Sequence, residues 1–162
     1  MIEIRHRLTG EVLLSVDAET FMGADHVDAR QAGVSLRGIE ICPRGWSAVS
    51  LRGADLHLAD LAEVHLEHAD LTEADLHGAN LYDARLTSAR LSGALLYFAN
   101  LHGTRLGGAN LRNANLRGAW LCRADLLGAD LSGASLQEAR YDLHTRWPEG
   151  FDPSSAGAIL VE

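Results

Sequence analysis

The chain has no lysine: all 14 of its cationic side chains are arginine, set against 22 acids for a formal net charge of -8. General binding to nucleic-acid backbones needs a cationic surface, so direct nucleic-acid binding is not expected. A basic partner, or a role as a mimic of DNA, stays compatible with the charge. Also missing is any apolar run near the ~20 residues of a membrane span. The opening MIEIRHRLTGEVLLSV is broken by charges where a signal peptide would carry its apolar stretch. A cytoplasmic protein with no membrane contact is the expectation. The two cysteines, Cys42 and Cys122, lie far apart without metal-ligand spacing and read as unpaired thiols.

What is present in excess is leucine at one spacing. From Leu51 to Leu136 every fifth residue is leucine, eighteen in succession, and alanine stands two residues before fifteen of them, the exceptions being Val49, Val64 and Thr104. On an α-helix a step of five advances ~500°, so these leucines would spiral round the cylinder and form no stripe. On a strand they would point alternately up and down. The set is buried only if the chain turns a corner every five residues, so that four corners close a square coil of twenty. Eight of the eighteen residues placed two after the leucine are glycine, which suits a turn position with positive φ. Stacked coils then satisfy one another's backbone groups at ~4.8 Å, as in a parallel sheet.

Runs such as ADLHGANLYDARL and GANLRNANLRGAWLCRADLLGADL resemble the pentapeptide-repeat proteins, whose consensus is A(D/N)LXX. The resemblance implies an all-β fold, a right-handed quadrilateral β-helix. The clear repeat covers 49–137, and its phase extends back through Leu36, Ile41 and Trp46 and forward to Tyr141. Residues 1–18 read as an N-terminal β-hairpin cap turning at Thr9-Gly10, residues 19–143 as the solenoid, degenerate before 49, and residues 144–162 as a C-terminal capping tail. WPEGFDP resembles a tail found in the same family, with Trp147 and Phe151 as its capping rings. Two readings stay open for 17–32: a degenerate first coil with Phe21, His26 and Gln31 inward, or a helix from Asp17 to Ala32.

With twenty residues per coil, positions twenty apart stack into columns on one outer face. In that register Cys42 and Cys122 stand four coils apart, ~19 Å, beyond disulfide reach. His57 and His77 share a column, and His65 and His68 flank Glu67. A zinc site needs three or four converging ligands, whereas outward columns on a flat face converge poorly and the His65 column continues into Arg85 and Arg105. These histidines are therefore expected to be solvated, with no metal and no cofactor. Ser88, Ser92 and Ser132 sit at turns with no histidine stacked beside them, and Asp55 and Asp75 fit the consensus Asp/Asn before leucine, so no catalytic residue is expected and the chain does not read as an enzyme.

The charges fall into bands. Between Gly53 and Ala84 stand eight acids and no arginine; from Arg85 to Arg123 stand six arginines and no acid. Some proteins of the resembled family bind DNA gyrase as DNA mimics and protect it from quinolones. A mimic should be acidic along its length, and this one turns basic in the middle, so gyrase is the lesser of the expected partners. The stretch LSGALLYFANLHG supplies the stronger signal. Leu96 is the inward residue, which leaves Leu95, Tyr97 and Phe98 pointing outward, with Gly78 and Gly118 flanking Phe98, Tyr97 between His77 and Arg117, and Trp120 around the next corner. An exposed apolar and aromatic patch of this kind marks a binding surface. A protein-binding scaffold that self-associates as a homodimer through Leu95, Tyr97, Phe98 and Trp120 is the functional expectation.

Overall fold

The computed structural model describes residues 2–6, 12–16, 39–40 and 50–162. Strands β1 (Ile2–His6), β2 (Val12–Val16) and β3 (Ile39–Glu40) form one sheet in the order β2-β1-β3, both pairings antiparallel, with an irregularity in the β1–β2 register between Ile4 and Arg5. The Thr9-Gly10 turn, both readings of 17–32, the inward positions 36, 41 and 46, and Cys42 lie outside the described residues. No helix among those residues is long and apolar enough to cross a membrane.

From Ser50 onward the chain is a four-sided solenoid. Parallel bridges recur every five residues, each with a partner twenty residues on, and they assemble into four ladders: 50–70–90–110–130, 55–75–95–115–135, 60–80–100–120–140, and 65–85–105–125. Each rung is held from both neighbours: Leu95 N donates to Ala74 O at 2.9 Å in the coil before it, and Leu96 N to Asn115 O at 2.8 Å in the coil after it. At each corner the amide three residues after the leucine donates back to the leucine carbonyl, as Ala99 N does to Leu96 O at 3.1 Å.

That closure demands a left-handed residue at the second central turn position. All eighteen residues two after a leucine have positive φ, eight of them glycine and ten not, Phe98 at 58° among the latter. Glycine therefore marks fewer than half of the corners that need it. The inward leucines and alanines are almost all sealed from solvent, Leu96 and Ala94 at 0% exposure. Val64 and Thr104 take the alanine place at 0%, and the Thr104 hydroxyl donates to Leu81 O at 2.8 Å, so burying it leaves no polar atom unpaired.

After Tyr141 the repeat does not end but slips. Asp125 bridges to Arg146, twenty-one residues on, because one extra residue is accommodated at the corner, and Thr145 assumes the inward alanine place with its hydroxyl donating to Leu121 O at 2.9 Å. The tail then closes the end. β4 (Arg140–Tyr141) pairs in parallel with β5 (Ile159–Leu160), and Tyr141, Trp147 and Phe151 pack ring on ring, at 5.4 and 5.3 Å, against the last coil.

Asp142 clasps the slipped corner. Its Oδ1 accepts from the amides of Arg123 (2.9 Å) and His144 (3.1 Å), and lies 3.0 Å from the Thr145 hydroxyl, whose single proton is shared between this carboxylate and Leu121 O. Burial raises its pKa, and these hydrogen bonds outweigh that, holding the carboxyl below its ordinary range. A depressed folded-state value contributes stability that is present above the unfolded pKa of ~3.9 and is lost as the pH falls through the folded one. Asp142→Asn should therefore lower Tm at neutral pH, with the gap to wild type closing as the pH drops below about 4. A gap unchanged down to acid pH would deny the carboxylate this role.

Candidate functional site

Residues 94–98 form one side of one coil, and the backbone decides which of their side chains face water. Leu96 is fully buried, whereas Leu95 is 38% and Phe98 61% exposed. Tyr97 is half-buried. Trp120, around the corner and one coil on, is 47% exposed, and Tyr82 on the same side is 41% exposed. The expected patch is thus outward, split over two adjacent sides. Leu95 and Tyr97 stand on one, Tyr82 and Trp120 on the next, and Phe98 on the corner between them. The C-terminal tail, which packs on the last coil, leaves Phe98 open.

Columns convert sequence spacing into stacking. The rings of His57 and His77 lie parallel at 4.8 Å (1° between planes), and Tyr97 continues the stack on His77 at 4.8 Å (3°). Phe98 meets Tyr97 edge-on at 6.0 Å. A second stack, Tyr82 on His102 at 5.4 Å, runs along the neighbouring side. Between them Asn100 Nδ2 donates to Asn80 Oδ1 at 3.0 Å and Asn80 Nδ2 to Asp60 Oδ1 at 2.9 Å. Trp120 takes over from that polar ladder, and the Arg140 guanidinium lies 4.8 Å from its ring centre.

The corner column corrects one sequence expectation. Gly78 and Gly118 do not both leave Phe98 bare, because large corner side chains lean one coil forward. Leu58 lies over Gly78, where a Cβ would stand 2.8 Å from its Cδ2, and Phe98 lies over Gly118, where a Cβ would stand 2.5 Å from its ring. Asp83 covers Gly103 in the same way. Gly118 is buried beneath Phe98 as a result. The ring is seated on one face and open on the other. Leu58, 46% exposed and on the same corner, escapes a reading of the sequence because a lone leucine at a turn position carries no aromatic signal.

The histidine column offers the site's one metal-like arrangement among the described residues. An ionised carboxylate only accepts, so His77 Nδ1 donates to Asp75 Oδ1 at 2.8 Å, and His57 Nδ1 likewise to Asp55. The ligand atoms of His57, Asp75 and His77 all lie within 4.8 Å of one another. Column arithmetic treats the histidines and the aspartates separately and misses this pairing, although a His two residues after an Asp is visible in the sequence. In-plane lone pairs of two parallel rings do not converge, so one ion could take both imidazoles only by breaking the stack. As placed, the arrangement orders the face. Cys122, buried beside the Trp120 column, has its thiol pushed up by burial and then by Asp142, away from nucleophilic thiolate.

The arginine band is partly neutralised within the chain. Arg90 pairs with Asp70 at 3.6 Å, Arg112 with Asp130 at 3.2 Å and Arg117 with Glu138 at 2.9 Å. Among the described residues no carboxylate pairs with Arg85, Arg105 or Arg123.

Comparison with known proteins matches the profile described as pentapeptide repeats, in eight copies over residues 50–87, 74–113, 89–126 and 109–140. No curated protein is a significant match. Among solved structures the chain is similar to the pentapeptide repeat protein Rfr23 from the cyanobacterium Cyanothece 51142, with 31% identity over 65% of this chain and 67% of that one and a TM-score of 0.55. It is also similar to alr5209, a pentapeptide repeat protein from Nostoc Pcc 7120, with 40% identity over 60% of this chain and 84% of that one and a TM-score of 0.34. QnrB1, a plasmid-mediated fluoroquinolone resistance protein, aligns at 14% identity over 69% of this chain and 67% of its own, with a TM-score of 0.41. With TM-scores this low, the last two say nothing about what this chain binds.

Proposed function

Because the chain belongs to the pentapeptide-repeat family, we propose that it works as a right-handed, non-catalytic protein-binding solenoid that self-associates through Leu95, Tyr97, Phe98 and Trp120. The observation that carries this reading is Phe98. A bulky residue at φ 58° is strained, and one 61% exposed leaves most of an aromatic ring in water. The coil imposes the left-handed conformation at every corner but does not need a ring there, since the same corner is glycine in the coils on either side. Covering the exposed ring with a second surface gives it a use.

A second copy fits this surface for an electrostatic reason. The acids gather in the N-terminal coils and the unpaired arginines in the middle ones, so each copy carries both halves of a complementary pattern. The same banding weighs against a DNA mimic directed at gyrase, which needs one sign along its length. The test is the solution mass by light scattering after size exclusion, over a hundredfold concentration range, for wild type and Phe98→Asp. A wild-type dimer and a monomeric variant are expected. Two monomers throughout would overturn self-association.

A further inference from the structure

The side spanning residues 99–103 and its stacked equivalents carries a charge pattern that selects one mode of pairing. Its far corner column reads Glu63, Asp83, Gly103, Arg123: acid, acid, no side chain, cation. Asp83 and Arg123 are both exposed, and neither the Asp83 carboxylate nor the Arg123 guanidinium has an ion-pair partner among the described residues. Its near corner column reads Leu58, Gly78, Phe98, Gly118. Phe98 and Gly103 therefore mark the two edges of one rung. Trp120 and Tyr82 stand on the same side, one coil beyond that rung and one coil before it.

We infer that two copies pair antiparallel through this side, about a two-fold axis running along the rung from Phe98 to Gly103, with Asp83 of each copy opposite Arg123 of the other. The inference rests on self-association as proposed above and adds its geometry. Two plates laid face to face by a two-fold have the axis in the plane between them. If that axis ran along the solenoid, coil order would be kept. The charged column would then meet either itself in register, Asp83 on Asp83 and Arg123 on Arg123, or the uncharged near column, and neither arrangement pairs opposite charges. If the axis runs across the solenoid, coil order reverses. A residue then meets the one placed equally far on the other side of the axis. Gly103 lies midway between 83 and 123, so the two opposite charges meet twice, once on either side of the glycine over which each Asp83 side chain lies.

The same axis disposes of the aromatic groups. The Phe98 ring, which leans over its own Gly118, is brought against Gly78 of the other copy and the exposed Leu58 that lies over it. Trp120 falls opposite Asn80, beside the exposed Tyr82 of the other copy. Leu95 and Tyr97, on the adjoining side, flank this contact and do not form its centre.

Charge reversal tests the geometry. Dissociation constants would be measured by sedimentation equilibrium for wild type, Asp83→Arg, Arg123→Asp and the double variant, with circular dichroism confirming that each folds. Each single reversal sets two like-charge pairs against one another and should weaken the dimer by about tenfold or more, and the double variant should return to within about threefold of wild type. A double variant as weak as the singles, with Phe98→Asp still monomeric, would overturn the antiparallel geometry and leave self-association standing. A wild type that is monomeric at every concentration would overturn both.

Discussion

Replacing Leu96 by alanine should cost about 2–5 kcal/mol, the range for emptying a fully buried leucine site, and lower Tm by on the order of 10 °C. Leu96 has no exposure, and its neighbours along the interior are leucines of adjoining coils whose backbones are tied in register by the ladders. Such walls cannot collapse into the gap. The sharper test is Ala94→Leu combined with Leu96→Ala, which conserves composition and nearly conserves volume within one rung. If the period only needed apolar residues inside, the exchange would recover stability. Ala94 is also sealed, beside a corner, and a leucine there should cost a further ~1–3 kcal/mol through overpacking. The double variant should therefore melt below Leu96→Ala alone. Recovery toward wild type would show that the interior reads hydrophobicity and not size.

This strictness of size and spacing is why the coil is legible in the amino-acid order alone. No helix or strand buries every fifth leucine, so the four-cornered path is the remaining solution, and the ladders from Ser50 onward realise it. Two features are not legible. Glycine signals only eight of the eighteen left-handed corners, because the coil's stability imposes positive φ on whatever residue arrives there, Leu58, Asp83 and Phe98 included. The slip after Tyr141 is also hidden: the period breaks in the sequence, while Thr145 and Arg146 resume the inward and bridging roles one residue late.

At the site, outward direction follows from the column arithmetic, which places Leu95, Phe98 and Trp120 in solvent. The contacts those side chains make do not follow. Which glycine Phe98 lies on, that Arg140 covers Trp120, and that His57, His77 and Tyr97 stack are rotamer choices. Each is worth on the order of 1 kcal/mol, too little to leave a period in the sequence.

Phe98→Gly should abolish self-association while leaving Tm within a few degrees of wild type. Two contributions to the monomer's stability nearly offset. Removing the ring forfeits its packing on Gly118, about 1 kcal/mol for a side chain less than half buried. Glycine relieves the left-handed strain at φ 58°, of roughly 1–2 kcal/mol, and gives back part of that gain by loosening the unfolded chain. Unlike Phe98→Asp, this substitution introduces no charge, so a loss of dimer cannot be ascribed to repulsion. Thermal melts at a concentration where wild type is monomeric, paired with light scattering where it is dimeric, separate the two effects. A large fall in the monomer's Tm would make Phe98 a structural residue of the coil. An unchanged Tm with the dimer gone would mean that the exposure of this one ring is maintained for the surface it meets.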